Sequence, residues 1–124
     1  MSSGGARKPL GRWGEDLVAE DLRRRGCVIL ASGWRCRQGE IDLIAADGTY
    51  LRLVEVKLRK NNRFAQPREA VDWRKQEKLK TAASLYLAEH PTDLQPRFDV
   101  AEVYAPQGMD TRSPCIIYIE NAFS

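Results

Sequence analysis

GEIDLIAADGTYLRLVEVKLRK, residues 39–60, reads as two β-strands joined at Asp47-Gly48. The runs on either side are rich in Ile, Leu and Val, as pleated strands require. Asp-Gly suits a two-residue hairpin loop, because both positions need positive φ and these residues tolerate it. That loop predicts a register in which Ala46 faces Thr49, Ile44 faces Leu51, Asp42 faces Leu53 and Glu40 faces Glu55. With a side-chain period of two, Lys57 joins the same face. This surface then changes along its length from Ile44, Leu51 and Leu53 to three acids and one lysine.

In this register Asp42 lies diagonally from Glu55, about 7–8 Å away at the backbone, so the two carboxylates can converge on one ion. A hard cation such as Mg²⁺ or Mn²⁺ removes the conflict between like charges, since it takes oxygen ligands and is commonly held by one or two carboxylates plus a substrate phosphate. Lys57 adds an ammonium that can orient or deprotonate an attacking water, or offset charge on a phosphorane-like oxygen. The group suits phosphodiester hydrolysis. A solvated salt-bridge patch at a frayed sheet end would collect the same residue types. Against it, Ile41, Leu43, Ile44, Val54 and Val56 flank the acids, which places them in strands of central character where unpaired charge is expensive.

Upstream, 12–25 has helical spacing through Leu17, Val18, Asp21 and Leu22, and Gly26 stands where a left-handed cap would end the helix. On this helix Glu15 groups with Val18, Ala19 and Leu22, the side facing the sheet, which makes it a fourth candidate carboxylate. An apolar strand follows at 27–31, with an extension towards Trp34. Downstream, 61–66 is a polar loop, Pro67 suits a helix start, and the helix runs through Val71, Lys75, Lys78, Leu79, Ala82 and Tyr86 to about Glu89, closed by His90-Pro91. Strands at 97–104 and 115–120 complete the order αβββαββ, expected as an α/β mixed sheet flanked by helices.

Several motifs fall in a set order: Gly14-Glu15, GEIDLI at 39–44, VEVK at 54–57, RFDV at 97–100 and IENAF at 119–123. Together they resemble the YraN-like family of bacterial proteins, itself similar to archaeal Holliday-junction resolvases within the PD-(D/E)xK nuclease superfamily. The resemblance implies a restriction-endonuclease-like αβββαβ core and an endonuclease acting on DNA, branched DNA included. It would make Asp42, Glu55 and Glu15 the metal ligands and Lys57 the catalytic lysine, with Glu40 touching either the metal or a water beside it. Ile41 stands where the superfamily's name has proline. The Gln-x-x-x-Tyr of the exonuclease branch is absent, since Gln76 is followed four residues later by Lys80. Similarity to resolvases also raises the expectation of a homodimer.

Charge distribution suits a phosphate-bearing partner, although a solvated helix face with interspersed acids has much the same sequence. Between Arg52 and Lys80 stand ten Lys/Arg against four Asp/Glu, although the whole 124-residue chain carries only +3. Arg59, Lys60, Arg63 and Lys75 are the candidate nucleic-acid contacts. The competing readings are a nucleic-acid binder that keeps the fold without cleavage, and a protein-interaction domain using Trp13, Trp34 or Trp73.

Other chemistries find little material. His90 is the single histidine, and Cys27, Cys36 and Cys115 are widely spaced, consistent with buried thiols rather than a zinc or redox site. No apolar run reaches bilayer-spanning length. Residues 1–10 are expected as a flexible lead without the apolar centre of a secretory signal, followed by one domain over 11–124, with the cytoplasm as the default location.

Overall fold

The computed structural model describes residues 9–60 and 71–124. Helix α1, Pro9–Arg24, opens on a proline, whose missing N–H costs nothing at a helix start. It begins three residues earlier than its apolar spacing indicates and takes in part of the expected lead; residues 1–8 lie outside the described residues. Gly26 ends it at φ 94°. The Cys27 N–H donates to the Leu22 carbonyl at 2.9 Å and that of Gly26 to Arg23 at 3.0 Å, and the buried Leu22 and Cys27 side chains complete a Schellman close.

Strands β1 (Val28–Cys36), β2 (Gly39–Ala46) and β3 (Tyr50–Arg59) follow, then α2 (Trp73–Glu89), β4 (Gln95–Tyr104), a 3₁₀ turn at Gly108–Asp110, and β5 (Cys115–Phe123). The five strands form one sheet in the order β1-β2-β3-β4-β5. The β3–β4 pair is parallel and the others antiparallel. The order αβββαββ and the mixed α/β sheet are as the sequence indicates. They are consistent with a restriction-endonuclease-like core.

Helix α2 starts at Trp73, six residues beyond Pro67. Asp72 is its N-cap, accepting the Lys75 N–H on Oδ1 at 2.9 Å, which satisfies a donor that a proline start would have left open. Pro67, the 61–66 loop and Arg63 lie outside the described residues. His90 caps the far end, its backbone N–H donating to Tyr86.

The helices lie on opposite faces of the sheet. Leu79, Ala82, Ala83 and Tyr86 of α2 pack with Ile41, Ile44, Leu51, Leu53 and Val100. Val18, Ala19 and Leu22 of α1 pack with Leu43, Ala45, Val54, Ala101 and Val103. Trp13 and Trp34 join these clusters, whereas Trp73 is 69% exposed. Cys27 is buried as expected, Cys36 is half-buried and Cys115 is exposed.

The hairpin register differs from the Asp47-Gly48 expectation. Neither residue takes positive φ; instead Asp47 donates its N–H to the Tyr50 carbonyl and accepts the Thr49 and Tyr50 N–H groups on Oδ1, both at 2.7 Å. This side-chain-closed turn shifts the pairing by two, so Ile44 faces Leu53 and Ala46 faces Leu51. A slip of two preserves the faces but brings Asp42 level with Glu55, where a diagonal was expected.

At the sheet's other end Asp99, 1% exposed, is closed by Arg97 through two bonds of 2.8 and 2.9 Å and by the Asn121 N–H at 3.0 Å. Removing Asp99 leaves the Arg97 guanidinium with the exposed Glu120, at 3.3 Å, as its remaining carboxylate partner among the described residues. Asp99→Ala is expected to lower stability by about 3 kcal/mol, measured by urea unfolding, and the double change Arg97→Met with Asp99→Leu to recover much of that loss. Equal losses in both would show that packing, not the under-paired guanidinium, dominates.

Candidate functional site

The β2–β3 ladder spans only Ala46↔Leu51 to Leu43↔Val54. Beyond it β2 stays paired to β1 as far as Cys36↔Gly39, and β3 to β4 as far as Arg59↔Tyr104. The sheet therefore forks, and Asp42 and Glu55 are the first residues past the split.

The fork originates in a break of strand alternation. Ile41 and Ile44 pack on the same face although three residues apart, which regular pleating forbids. Opposite Asp42, bracketed by the pairs Ser32↔Leu43 and Trp34↔Ile41, stands Gly33 at φ 66°. Only glycine takes that conformation without strain, so β1 can follow the kink in β2. The kink turns Glu40 and Asp42 towards α1. There they meet Glu15, which is 5% exposed, and the three residues offer carboxylate oxygens within 4.8 Å of one another.

The Asp42 Oδ2 accepts the Val56 N–H at 2.9 Å, which places its carboxylate inside the fork. Glu55 approaches from the other side. Its side chain is 7% exposed, and its Oε2 has the Lys57 ammonium at 3.8 Å and that of Lys75, from α2, at 3.5 Å. Its Oε1 is buried with no hydrogen-bond partner. Glu40 also meets Arg35, Nε to Oε1 at 3.3 Å.

The structure brings together Glu15, Glu40, Asp42, Glu55 and Lys57, all candidates from the sequence, and sets Lys75, expected as a nucleic-acid contact, against Glu55. Glu40 offers a carboxylate oxygen alongside those of Asp42 and Glu15, while Glu55 lies beside that trio rather than within it. The sequence signal for Lys75 was its basic charge at the start of the helix after the site. Arg59 serves another acid: its Nε and Nη2 donate to the Glu102 Oε2 at 3.2 and 3.1 Å, and the Tyr104 hydroxyl donates to Oε1 at 3.0 Å. Lys60 is exposed at the end of β3.

Among the described residues four acids are buried, namely Glu15, Glu55, Asp99 and Glu102. The two on β4 are each held by an arginine, Asp99 through both its oxygens and Glu102 through Oε2 with Tyr104 on Oε1. Glu55 has two loosely placed ammoniums and one unpartnered oxygen. An all-oxygen donor set with an orphaned buried carboxylate oxygen fits a hard divalent cation. Burial above all, and then the negative charge of Asp42, push Glu55 up to about 7 against the pull of Lys75 and Lys57.

A model of the uncharacterised protein family UPF0102 matches residues 14–103. A UPF0102 protein of Symbiobacterium thermophilum is 48% identical over 115 residues, covering 92% of this chain and 95% of the relative. One from Frankia casuarinae is 41% identical over 119 residues, covering 95% and 98%. One from Renibacterium salmoninarum is 43% identical over 104 residues, covering 83% and 88%. Among the described residues no helix is long and apolar enough to cross a membrane.

A carboxyl group that titrates higher in the folded state stabilises the fold below its unfolded pKa of 4.5 and loses that contribution as pH rises through about 7. Without divalent ions, wild-type stability relative to Glu55→Gln should therefore fall between pH 5 and pH 8, by an amount on the order of 3 kcal/mol. Urea titrations in chelator at both pH values measure it. Parallel behaviour of the two proteins would place Glu55 in a well-solvated environment instead.

Proposed function

The chain belongs to the uncharacterised protein family UPF0102, and from the geometry of its fork we propose that it is a divalent-metal-dependent nuclease hydrolysing phosphodiester bonds in DNA. The observation carrying this reading is the buried Glu55 oxygen without a partner, placed beside three converging carboxylates and two lysines.

Asp42, Glu40 and Glu15 would hold a Mg²⁺ or Mn²⁺ ion, with Glu55 completing the negative wall next to it. Such an ion supplies positive charge to phosphate oxygens and acidifies water at neutral pH. The chain's own groups do the rest. Asp42 is pinned by the Val56 N–H, so its outer oxygen points in a fixed direction. Lys57 is about one-third exposed and reaches both Glu55 and solvent, which suits it to orient an incoming water or to offset charge on a phosphate oxygen in the transition state. Glu55, buried beside Lys57, is placed to accept a proton from that water.

A nucleic-acid binder without cleavage needs a basic surface but gains nothing from burying a carboxylate that lacks an arginine. Four acids at a single fork also oppose the approach of phosphate unless a cation intervenes. Both points favour the hydrolytic reading over simple binding.

Purified protein incubated with Mg²⁺ or Mn²⁺ and a panel of duplex, nicked, single-stranded and four-way-junction DNA should cleave at least one member, and chelator should stop it. Asp42→Asn is expected to abolish cleavage. Lys57→Ala should retain metal binding by calorimetry while lowering the cleavage rate roughly 10²- to 10³-fold. Full activity of Asp42→Asn, or an intact panel at every metal concentration, would sink the proposal.

A further inference from the structure

Lys75 is placed where helix stability argues against a cation. It is the third residue of α2, its N–H is fixed to the Asp72 side chain, and no acid shares this first turn. The helix dipole makes that end positive, so a lysine there is unfavourable. Its side chain leaves the helix and crosses to Glu55, stopping at 3.5 Å. A charge-assisted hydrogen bond would close to about 2.8 Å. The contact is a loose electrostatic tether, and 43% of the side chain remains exposed. The arginines that hold Asp99 and Glu102 approach to between 2.8 and 3.2 Å. The difference separates a fixed structural pair from one able to exchange partners.

Resting on the nuclease reading above, we infer that Lys75 is a positioning residue that exchanges partners: it neutralises Glu55 in the metal-free protein and moves to a DNA phosphate once a divalent cation occupies the adjacent carboxylates. Lys57 cannot play this part. It sits on β3 two residues from Glu55, and its backbone is held in the parallel ladder opposite Glu102. Lys75 alone among the described lysines reaches the site from a second element. Two cations cannot occupy one acidic pocket at full strength, because like charges a few ångströms apart repel in a poorly solvated space. Lys75 therefore competes with the metal, and the metal's arrival releases the ammonium at the place where a phosphate must bind. Coupling of this kind favours loading of metal and DNA together.

The test titrates Mn²⁺ by calorimetry into the whole protein without DNA, then measures affinity for a short DNA duplex in Ca²⁺ across a salt series. Lys75→Met should bind Mn²⁺ roughly 5- to 20-fold more tightly than wild type. Arg74→Met, the neighbouring exposed cation, should change Mn²⁺ affinity by less than about 2-fold. In the salt series Lys75→Met should lose about 0.9 from the slope of log affinity against log salt, the loss of one phosphate contact, and Lys75→Arg should restore it. Lys75→Gln removes the same charge and repeats the comparison if the Met variant folds poorly. Unchanged or weaker Mn²⁺ binding by Lys75→Met and Lys75→Gln, or an unchanged salt slope, overturns the inference while leaving the nuclease reading standing. Wild-type protein that takes up no Mn²⁺ overturns both, and wild-type protein that takes up Mn²⁺ but binds no duplex overturns this inference alone.

Discussion

Two carboxylates, Asp42 and Glu55, are held beside one another where a β-sheet divides, and one of them is almost completely withdrawn from water. Like charges so placed repel strongly, because little solvent intervenes to screen them. The repulsion must be answered by a proton, by an ammonium, or by a metal ion. Every notable feature of the surrounding structure is one of these answers. The raised proton affinity of Glu55 is the first, Lys57 and Lys75 are the second, and the oxygen donors of Glu15 and Glu40 prepare the third.

The fold supplies this arrangement through backbone geometry more than through side-chain choice. A regular five-stranded sheet would keep β2 and β3 laddered and would leave Glu40 and Asp42 on the Ile44 face, towards α2. Gly33 at positive φ lets β1 follow a kink in β2, and the kink points both acids at α1. Helix α1 in turn buries Glu15 on the face that carries Val18 and Leu22, so its apolar packing fixes the acid's position. Helix α2 brings Lys75 from the other face. The site joins the two sides of the sheet, which is possible only where the sheet is open.

Much of this was legible in the residues themselves. Acids flanked by Ile, Leu and Val mark strands that are buried yet charged, and the helical grouping of Glu15 with apolar neighbours identifies its orientation. The order of elements follows from turn and cap signals. The register did not follow, because the Asp47 side chain closes its turn in a manner that a preference for Asp-Gly at positive φ does not encode. The kink was equally hidden: an argument from strict period-two alternation excludes it by assumption, and Gly33 gives only a weak hint between Ser32 and Trp34. Lys75 needed three dimensions, since nothing local connects a residue of α2 with an acid twenty positions earlier. The start of α2 moved because Asp72 offers an acceptor to the helix end and Pro67 does not.

The comparison among buried acids bears most directly on function. Asp99 and Glu102 show how this chain buries a negative charge when stability alone is at stake: an arginine on the same or adjacent strand, two hydrogen bonds, and a further donor from Asn121 or Tyr104. Glu55 lies on the neighbouring strand, with equal access to such a solution, yet it has lysines at longer range and an oxygen left open. An ammonium is a compact charge on a flexible stem, able to leave one oxygen for another, whereas a guanidinium fork is committed to its partner. A site that must admit an ion and then a phosphate needs charges of the first kind. The use of lysine at Glu55 and arginine at Asp99 and Glu102 is the distribution expected if Glu55 exchanges partners during a reaction and the other two acids never do.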